Sequence, residues 1–359
     1  MLDKKIVIVE RIKFFIENYD VIARGAYHRG PKKFISDGDV RFCRFCRRGE
    51  GETTFENDSH AIPECLGNHQ LILLDECDVC NKFFSEKLED HLDKYTKPYR
   101  VAGQINGKRG IPNYRSQNKK SRIEFGEVPK IKTQVGEEFV CINHDNKTIT
   151  IKLHQDPHIP LAVYKALVKI ALSVIESKPE LNAFSATIDW LLEPQMEISV
   201  IKPAILMYTF IPGPRPTTGV TISVFRRKQE IVDVPYALLV IEFGNVILQL
   251  VILSQIDNGR RITVSIPYYP SQFEFMRWPY GELTYGSLDL SEAEKVKREF
   301  PINYHFEEMI ALEQVSEESL TVDQIERIVS IRSTLKFDVR FGAKSLARWA
   351  FNEEVIQHW

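Results

Sequence analysis

The chain has no apolar run long enough to cross a bilayer. Its most apolar region, 234–256, is broken by Glu242, Gly244, Asn245 and Gln249, short of the roughly 18–20 uninterrupted residues that a spanning helix needs. The first residues, with Asp3, Lys4 and Lys5 among them, are too charged for a secretory signal. The expectation from these two absences is a cytoplasmic protein with no membrane partner. There is no internal repeat and no low-complexity tract. Net charge is also nearly absent, −2 from 47 basic and 49 acidic residues, which excludes a chain that holds polyanions by bulk charge alone. Cysteine is scarce, six in 359 residues. Without a secretory signal, so few thiols point to reduced cysteines and metal thiolates rather than a disulfide framework. What remains is ordinary for a soluble globular protein: 43% hydrophobic and 27% charged residues, with length for two or three domains.

The charge is unevenly spread. Residues 1–130 carry 24 basic against 20 acidic side chains, and the remainder 23 against 29. Acidic residues vanish from 94–122, which holds Lys94, Lys97, Arg100, Lys108, Arg109, Arg115, Lys119, Lys120 and Arg122 among interleaved Tyr95, Tyr99 and Tyr114. Gly103, Gly107, Gly110 and Pro112 make this stretch loop-like. Such a segment can follow a phosphate backbone, each cation releasing condensed counterions; a solvated basic linker is the plainer reading.

Four of the six cysteines fall in two CxxC pairs, Cys43 with Cys46 and Cys77 with Cys80, and these bracket His60. Two such pairs can close a tetrahedral structural zinc site, which staples a fold lacking a large core. The spacing predicts a helix over 81–95, with Phe84, Leu88 and Leu92 on one face, ended by Pro98. Cys65 and Cys141 read as buried small hydrophobes.

The two CxxC pairs, the run His60, Pro63, Glu64, Leu66, Gly67, Asn68 and the trio Asn81, Lys82, Phe84 resemble the HNH endonucleases. More narrowly, they resemble the zinc-stapled bacterial branch with a His-x-x-Pro-Glu-x-Leu-Gly run. The resemblance covers about 41–95. It implies a ββα-metal fold around one catalytic Mg²⁺ or Mn²⁺, with His60 as the general base and Asn68 orienting the loop by hydrogen bonds. It also makes Asn81 a ligand of the catalytic ion. In that family a carboxylate directly precedes the histidine; here Ser59 does, and Asp58, one position back, becomes the metal candidate. The resemblance further implies that Cys43, Cys46, Cys77 and Cys80 hold structural zinc away from substrate. Lys82, Arg100, Lys108, Arg109, Arg115, Lys119 and Lys120 are candidate nucleic-acid contacts.

Beyond 130 the pattern predicts strands near 138–142 and 148–153, a buried helix over 160–176, a second helix over 181–192, and strands at 205–211, 220–226, 237–243, 246–254 and 260–266. Helices are expected at 291–299, 318–334 and 344–357. The expected class is α+β: an N-terminal helix and loop (1–40), an HNH domain (41–98), a basic linker (99–130), and an α/β specificity or regulatory domain with an antiparallel sheet and C-terminal helices (131–359). The leading expectation is a metal-dependent DNA endonuclease, RNA not excluded as substrate, in restriction or anti-phage defence. A homodimer or a partner defence protein would be engaged through 131–359. The alternatives are a non-catalytic zinc-stapled nucleic-acid binder and an interaction subunit of a defence complex.

Overall fold

A computed structural model describes residues 2–305, apart from 37, 39–40, 109, 117, 126–128, 134–136, 195–203, 214–216, 218, 261–263, 277 and 279–281, and also residues 350–351. The fold is mixed α/β with antiparallel sheets. Helix α1 (Leu2–Asn18) leads into β1 (Tyr19–Tyr27), followed by β2 (Lys33–Ile35), β3 (Ser59–His60) and β4 (Leu71–Leu73). Then come α2 (Asp78–Phe84), a π-helical turn (Ser85–Glu89) and α3 (Asp90–Ala102). Strands β5 (Tyr114–Arg115), β6 (Arg122–Phe125), β7 (Pro129–Lys132), β8 (Val140–Asn143) and β9 (Thr148–His154) precede helices α4 (Pro160–Val174), α5 (Lys178–Asn182) and α6 (Ser185–Leu192). The last described part is β10 (Ile205–Phe210), β11 (Val220–Arg227), β12 (Ala237–Phe243), β13 (Val246–Ile252), α7 (Gln272–Phe275), β14 (Thr284–Asp289) and β15 (Glu299–His305).

The largest sheet has six strands in the order β1-β11-β12-β13-β10-β14, every neighbouring pair antiparallel. The β12–β13 hairpin turns at Gly244, whose φ of 53° suits a residue without Cβ. The edge strand β1 lies in the N-terminal stretch read as helix and loop, yet pairs Tyr19 with Arg227 and Tyr27 with Val220. Segment 1–40 is therefore built into the same sheet as the later part of the chain.

Helix α4 is buried along its whole length. Its apolar residues face β strands on one side and the cysteine-bearing segment on the other, and one continuous core runs through all three. Lys165, Lys169 and Ser173 sit on it at i, i+4 and i+8, and all three are buried. A smaller core joins Tyr114, Ile123, Ile131, Phe139 and Ile151. The basic stretch at 99–130 thus contributes strands and core residues as well as exposed cations.

Several expectations need correction. Pro98 lies inside α3 rather than ending it. In the turn before it, side chains add hydrogen bonds to backbone carbonyls, Thr96 Oγ1 donating to Leu92 O (2.7 Å) and Arg100 Nη2 to Asp93 O (3.0 Å). The expected helix at 181–192 is split into α5 and α6. Residues 291–298 form no helix. They run beside the chain before α4, with His158 and Val296 exchanging backbone hydrogen bonds and Arg298 O accepting from Gln155 N (2.8 Å). Strand pairing there overrides local helix propensity. The expected strand at 260–266 shows no strand at its described residues. The expected helix at 318–334 lies outside the described residues, and of 344–357 only Ala350–Phe351 is described, as a short strand beside β7.

Candidate functional site

The four CxxC cysteines converge. Their sulfurs all lie within 4.8 Å of one another, three of the residues buried and Cys46 half-buried. Such a thiolate set fits one structural zinc ion. The Cys43 loop closes by Arg47 N donating to Cys43 O (2.8 Å), with Arg47 at φ 63°. Cys77 N points at Cys43 Sγ (3.5 Å), the kind of donor that stabilises a thiolate. A hydrogen bond from Cys80 draws the Cys43 thiol down to about 5 despite burial.

The same loop docks the rest of the protein. Arg44 Nη1 donates to the carbonyls of Leu172 (2.9 Å), Ser173 (3.2 Å) and Ile175 (2.9 Å), at the C-terminus of α4. Its Nη2 lies 3.5 Å from Asp75 Oδ2, both side chains 1% exposed. Four or so orphan carbonyls end every helix, and here the thiolate loop serves three of them.

His60 ends β3, which pairs antiparallel with β4 (Ser59 with Leu73, His60 with Ile72), and α2 follows. The loop between the strands is held by Asn68, which is fully buried. Its Nδ2 donates to Ile62 O (2.7 Å) and Leu71 O (3.1 Å), and its Oδ1 accepts from Gln70 N (3.0 Å) and Leu71 N (2.9 Å). Gly67 closes the short turn Glu64–Leu66 at φ 95°, where an added Cβ would also meet Ile105. On the other side, Asp78 at the start of α2 accepts from Thr54, from the Glu56 and Asn57 backbone and from the Asn57 amide. These bonds hold its carboxyl well below the usual range, although burial opposes them. The approach to His60 is thereby tied to the cysteine helix.

The surroundings of His60 differ from those the resemblance implies. Ser59 is fully buried, its hydroxyl donating to Glu76 O (3.4 Å). The Asp58 carboxylate is ion-paired with Lys32 on the surface. Asn81 sits inside α2, half-buried, its N–H donating to Cys77 O (2.9 Å), and makes no hydrogen bond with His60. Instead, His60 Nε2 lies 3.9 Å from Glu64 Oε1, and His69 Nδ1 lies 3.6 Å from the same oxygen. Burial lowers the His60 pKa against the opposing pull of Glu64, Asp58 and Glu89. Burial thus favours the neutral form of its imidazole.

Beneath this cleft lies a buried charge cluster. Lys169 Nζ is 3.0 Å from Glu76 Oε2 and 3.1 Å from Glu89 Oε1, and 3.5 Å from His60 O. Lys169 and Glu76 are 1% and 0% exposed, while Glu89 is 20% exposed. Burial works against the ammonium, but the two carboxylates hold its pKa above the ordinary lysine value. Two acids face one cation, so Glu76 is pushed up to about 7, first by burial. A carboxyl raised from its ordinary value keeps its proton in the native state and loses it on unfolding, so its contribution falls as pH rises through about 4.5 to 7. Comparing urea midpoints of the parent and Glu76→Gln at pH 5.5 and 8 should show the parent losing about 2 kcal/mol relative to the variant. Equal pH slopes in the two proteins would rule out this titration.

Glu64 entered the sequence reading only as a motif residue without a role, and His69, Glu89, Glu76 and Lys169 were not singled out. Two lysines at helical spacing within the apolar run 160–174 were the available signal, because buried lysine demands a partner. Among the predicted nucleic-acid contacts, Lys82, Lys108, Arg115, Lys119 and Lys120 are exposed. Arg100 is 5% exposed and ion-paired with Asp93 (2.7 Å), and Arg109 lies outside the described residues. Arg226 is taken up by Asp20 and Glu180, and Arg227 by Asp257. His91 is buried and accepts from Ile159 N (3.2 Å). Among the described residues no helix is long and apolar enough to cross a membrane.

Compared with protein-family models, with curated proteins and with solved structures, the chain matches none.

Proposed function

We propose that the protein is a metal-dependent endonuclease that hydrolyses DNA phosphodiester bonds at the His60 cleft. The observation that carries this reading is a partly exposed imidazole at the end of β3, held between a thiolate-stapled helix and an Asn68-locked loop. A neutral imidazole can take the proton of an attacking water. Burial favours the unprotonated ring, while Glu64, 3.9 Å away, stabilises the imidazolium that forms. A divalent ion, when bound, would neutralise the phosphate and the leaving oxygen. Exposed Lys108, Arg115, Lys119 and Lys120 give a basic approach for the backbone. The strand–strand–helix succession and the HNH resemblance support the class, and with it a role in restriction or anti-phage defence.

The test is nicking of supercoiled plasmid, single-stranded DNA and RNA with Mg²⁺ or Mn²⁺. His60→Ala, with its zinc content unchanged, should lose about 10²–10⁴-fold in rate, the usual contribution of a general base. A variant as active as the parent would remove His60 from that role. The buried Ser59 and the Lys32-paired Asp58 favour a second reading, a non-catalytic zinc-stapled nucleic-acid binder. EDTA-resistant binding without nicking in either metal would select it.

A further inference from the structure

We propose that the outer face of α1 is a seam on which two copies of this chain pair, helix beside helix in the same direction, about a two-fold axis. This pairing is independent of the hydrolytic reading, and it falls within Leu2–Asn18 rather than in 131–359.

Helix α1 has two apolar faces. On the inner one Ile8 and Phe15 are buried. Phe15 packs against Phe225 and Tyr269, ring centroids 5.6 and 5.2 Å away, and Arg11 donates to Glu274 Oε2 (2.6 Å) and Tyr268 O (2.7 Å). The helix is therefore fixed to the sheet. On the outer face Ile6, Val9 and Ile16 are 53%, 54% and 64% exposed. Together with Leu2 and Lys13 they recur at alternating spacings of four and three, the a and d positions of a heptad. The outer side of a docked surface helix is ordinarily polar, and an exposed apolar stripe marks an interaction site.

The position of the stripe in the fold sets it apart from the rest of the chain. Along β12, Leu238 and Val240 join the core that holds Phe15, whereas Leu239 and Ile241 join the core that holds α4. Helices α1 and α4 thus cover opposite faces of the sheet. Residues 306–349 lie outside the described residues, and the chain on their two sides is tied at His305, paired with Thr148, and at Ala350, beside Lys130. Those strands belong to the small core against α3, which is bonded to the start of α4. Both anchors are therefore on the α4 side of the sheet, away from the stripe.

The flanking charges choose the occupant and its direction. Asp3, Glu10 and Glu17 each follow a d residue and take the e position, while Lys5 takes the g position. An antiparallel pair would set this acidic row against its own copy. A parallel pair sets each g beside an e of the other helix, so Lys5 of one copy meets Glu10 of the second, twice by symmetry. Lys13, at an a position, fixes the register at a cost in affinity, and Glu17 of its own helix, 3.8 Å away, offsets part of its charge. A helix of 17 residues is ~25 Å long, so the contact is small and the dimer forms at micromolar concentration.

The test is sedimentation equilibrium of the zinc-loaded full chain from about 1 to 100 µM, with thermal melting followed alongside. The parent should pass from monomer to dimer across this range. Ile6→Asp with Val9→Asp should stay monomeric and melt as the dilute parent does. Phe34→Asp, at an equally exposed side chain on β2, should dimerise as the parent does. Lys5→Glu and Glu10→Lys should each weaken the dimer about tenfold, through two symmetric like-charge pairs, and the two together should restore it. A parent that is monomeric at every concentration overturns the proposal, as does a dimer that survives Ile6→Asp with Val9→Asp. A lowered melting temperature of the monomer in that double variant assigns the stripe to the chain's own fold and overturns it too. A charge swap that fails to restore the dimer overturns the parallel pairing.

Discussion

Stripping the ion from the four thiolates, or replacing Cys80 with serine, is expected to abolish the single cooperative unfolding transition of the protein. A structural zinc ion in a small fold contributes an apparent ~10–16 kcal/mol, comparable with the whole ~5–15 kcal/mol margin of a folded domain. The consequence here reaches beyond the cysteine loops. Arg44 lies between two of the ligands and holds three carbonyls at the end of α4, and α4 is the central element of the main core. Without the ion, that guanidinium and Asp75 would be released from a site where both are 1% exposed. Calorimetry with zinc quantification checks this: a metal-free protein that melts at the parental temperature would refute it. Arg44→Met, with zinc retained, isolates the docking contribution, because it removes the donor to Leu172 O, Ser173 O and Ile175 O and the cation beside Asp75.

Lys169→Met should be the most damaging single substitution outside the cysteines, costing about 3–5 kcal/mol, as removal of one partner from a buried ion pair does. The variant strands Glu76, which is fully buried, and leaves Glu89 without its cation. The double variant Lys169→Met with Glu76→Gln removes the buried acid that has lost its cation and should recover about half of the loss. Urea unfolding of the four proteins forms a double-mutant cycle. Additive losses would show that the two residues do not act as a pair. Because Lys169 also reaches His60 O at 3.5 Å, the single variant should disturb the cleft at denaturant concentrations below the global midpoint.

Much of the local structure was legible in the sequence. The two CxxC pairs announced a convergent thiolate cluster, and the structure assembles one. The apolar run at 160–176 became α4, and the Gly244 hairpin and the strands at 140–143 and 148–154 fell where alternation placed them. The misreadings have local causes as well. Pro98 sits inside α3, in a turn where side chains of Thr96 and Arg100 add hydrogen bonds to Leu92 O and Asp93 O. Residues 291–298 have helix-forming composition but are captured by backbone pairing with the segment before α4.

The sequence by itself determined which residues would be thiolate donors, which segments would be apolar on one face, and that a serine stands where a carboxylate was expected. Only the tertiary structure decided how the charges pair: Lys32 with Asp58, Lys169 with Glu76 and Glu89, Arg44 with the end of α4. It alone set β1 against β11, some 200 residues away, and turned Glu64 and His69 toward one point beside His60. Periodicity and spacing record what each residue needs from its near neighbours. The partner that meets a buried charge is fixed by which distant elements the core brings together, and no local pattern encodes that choice.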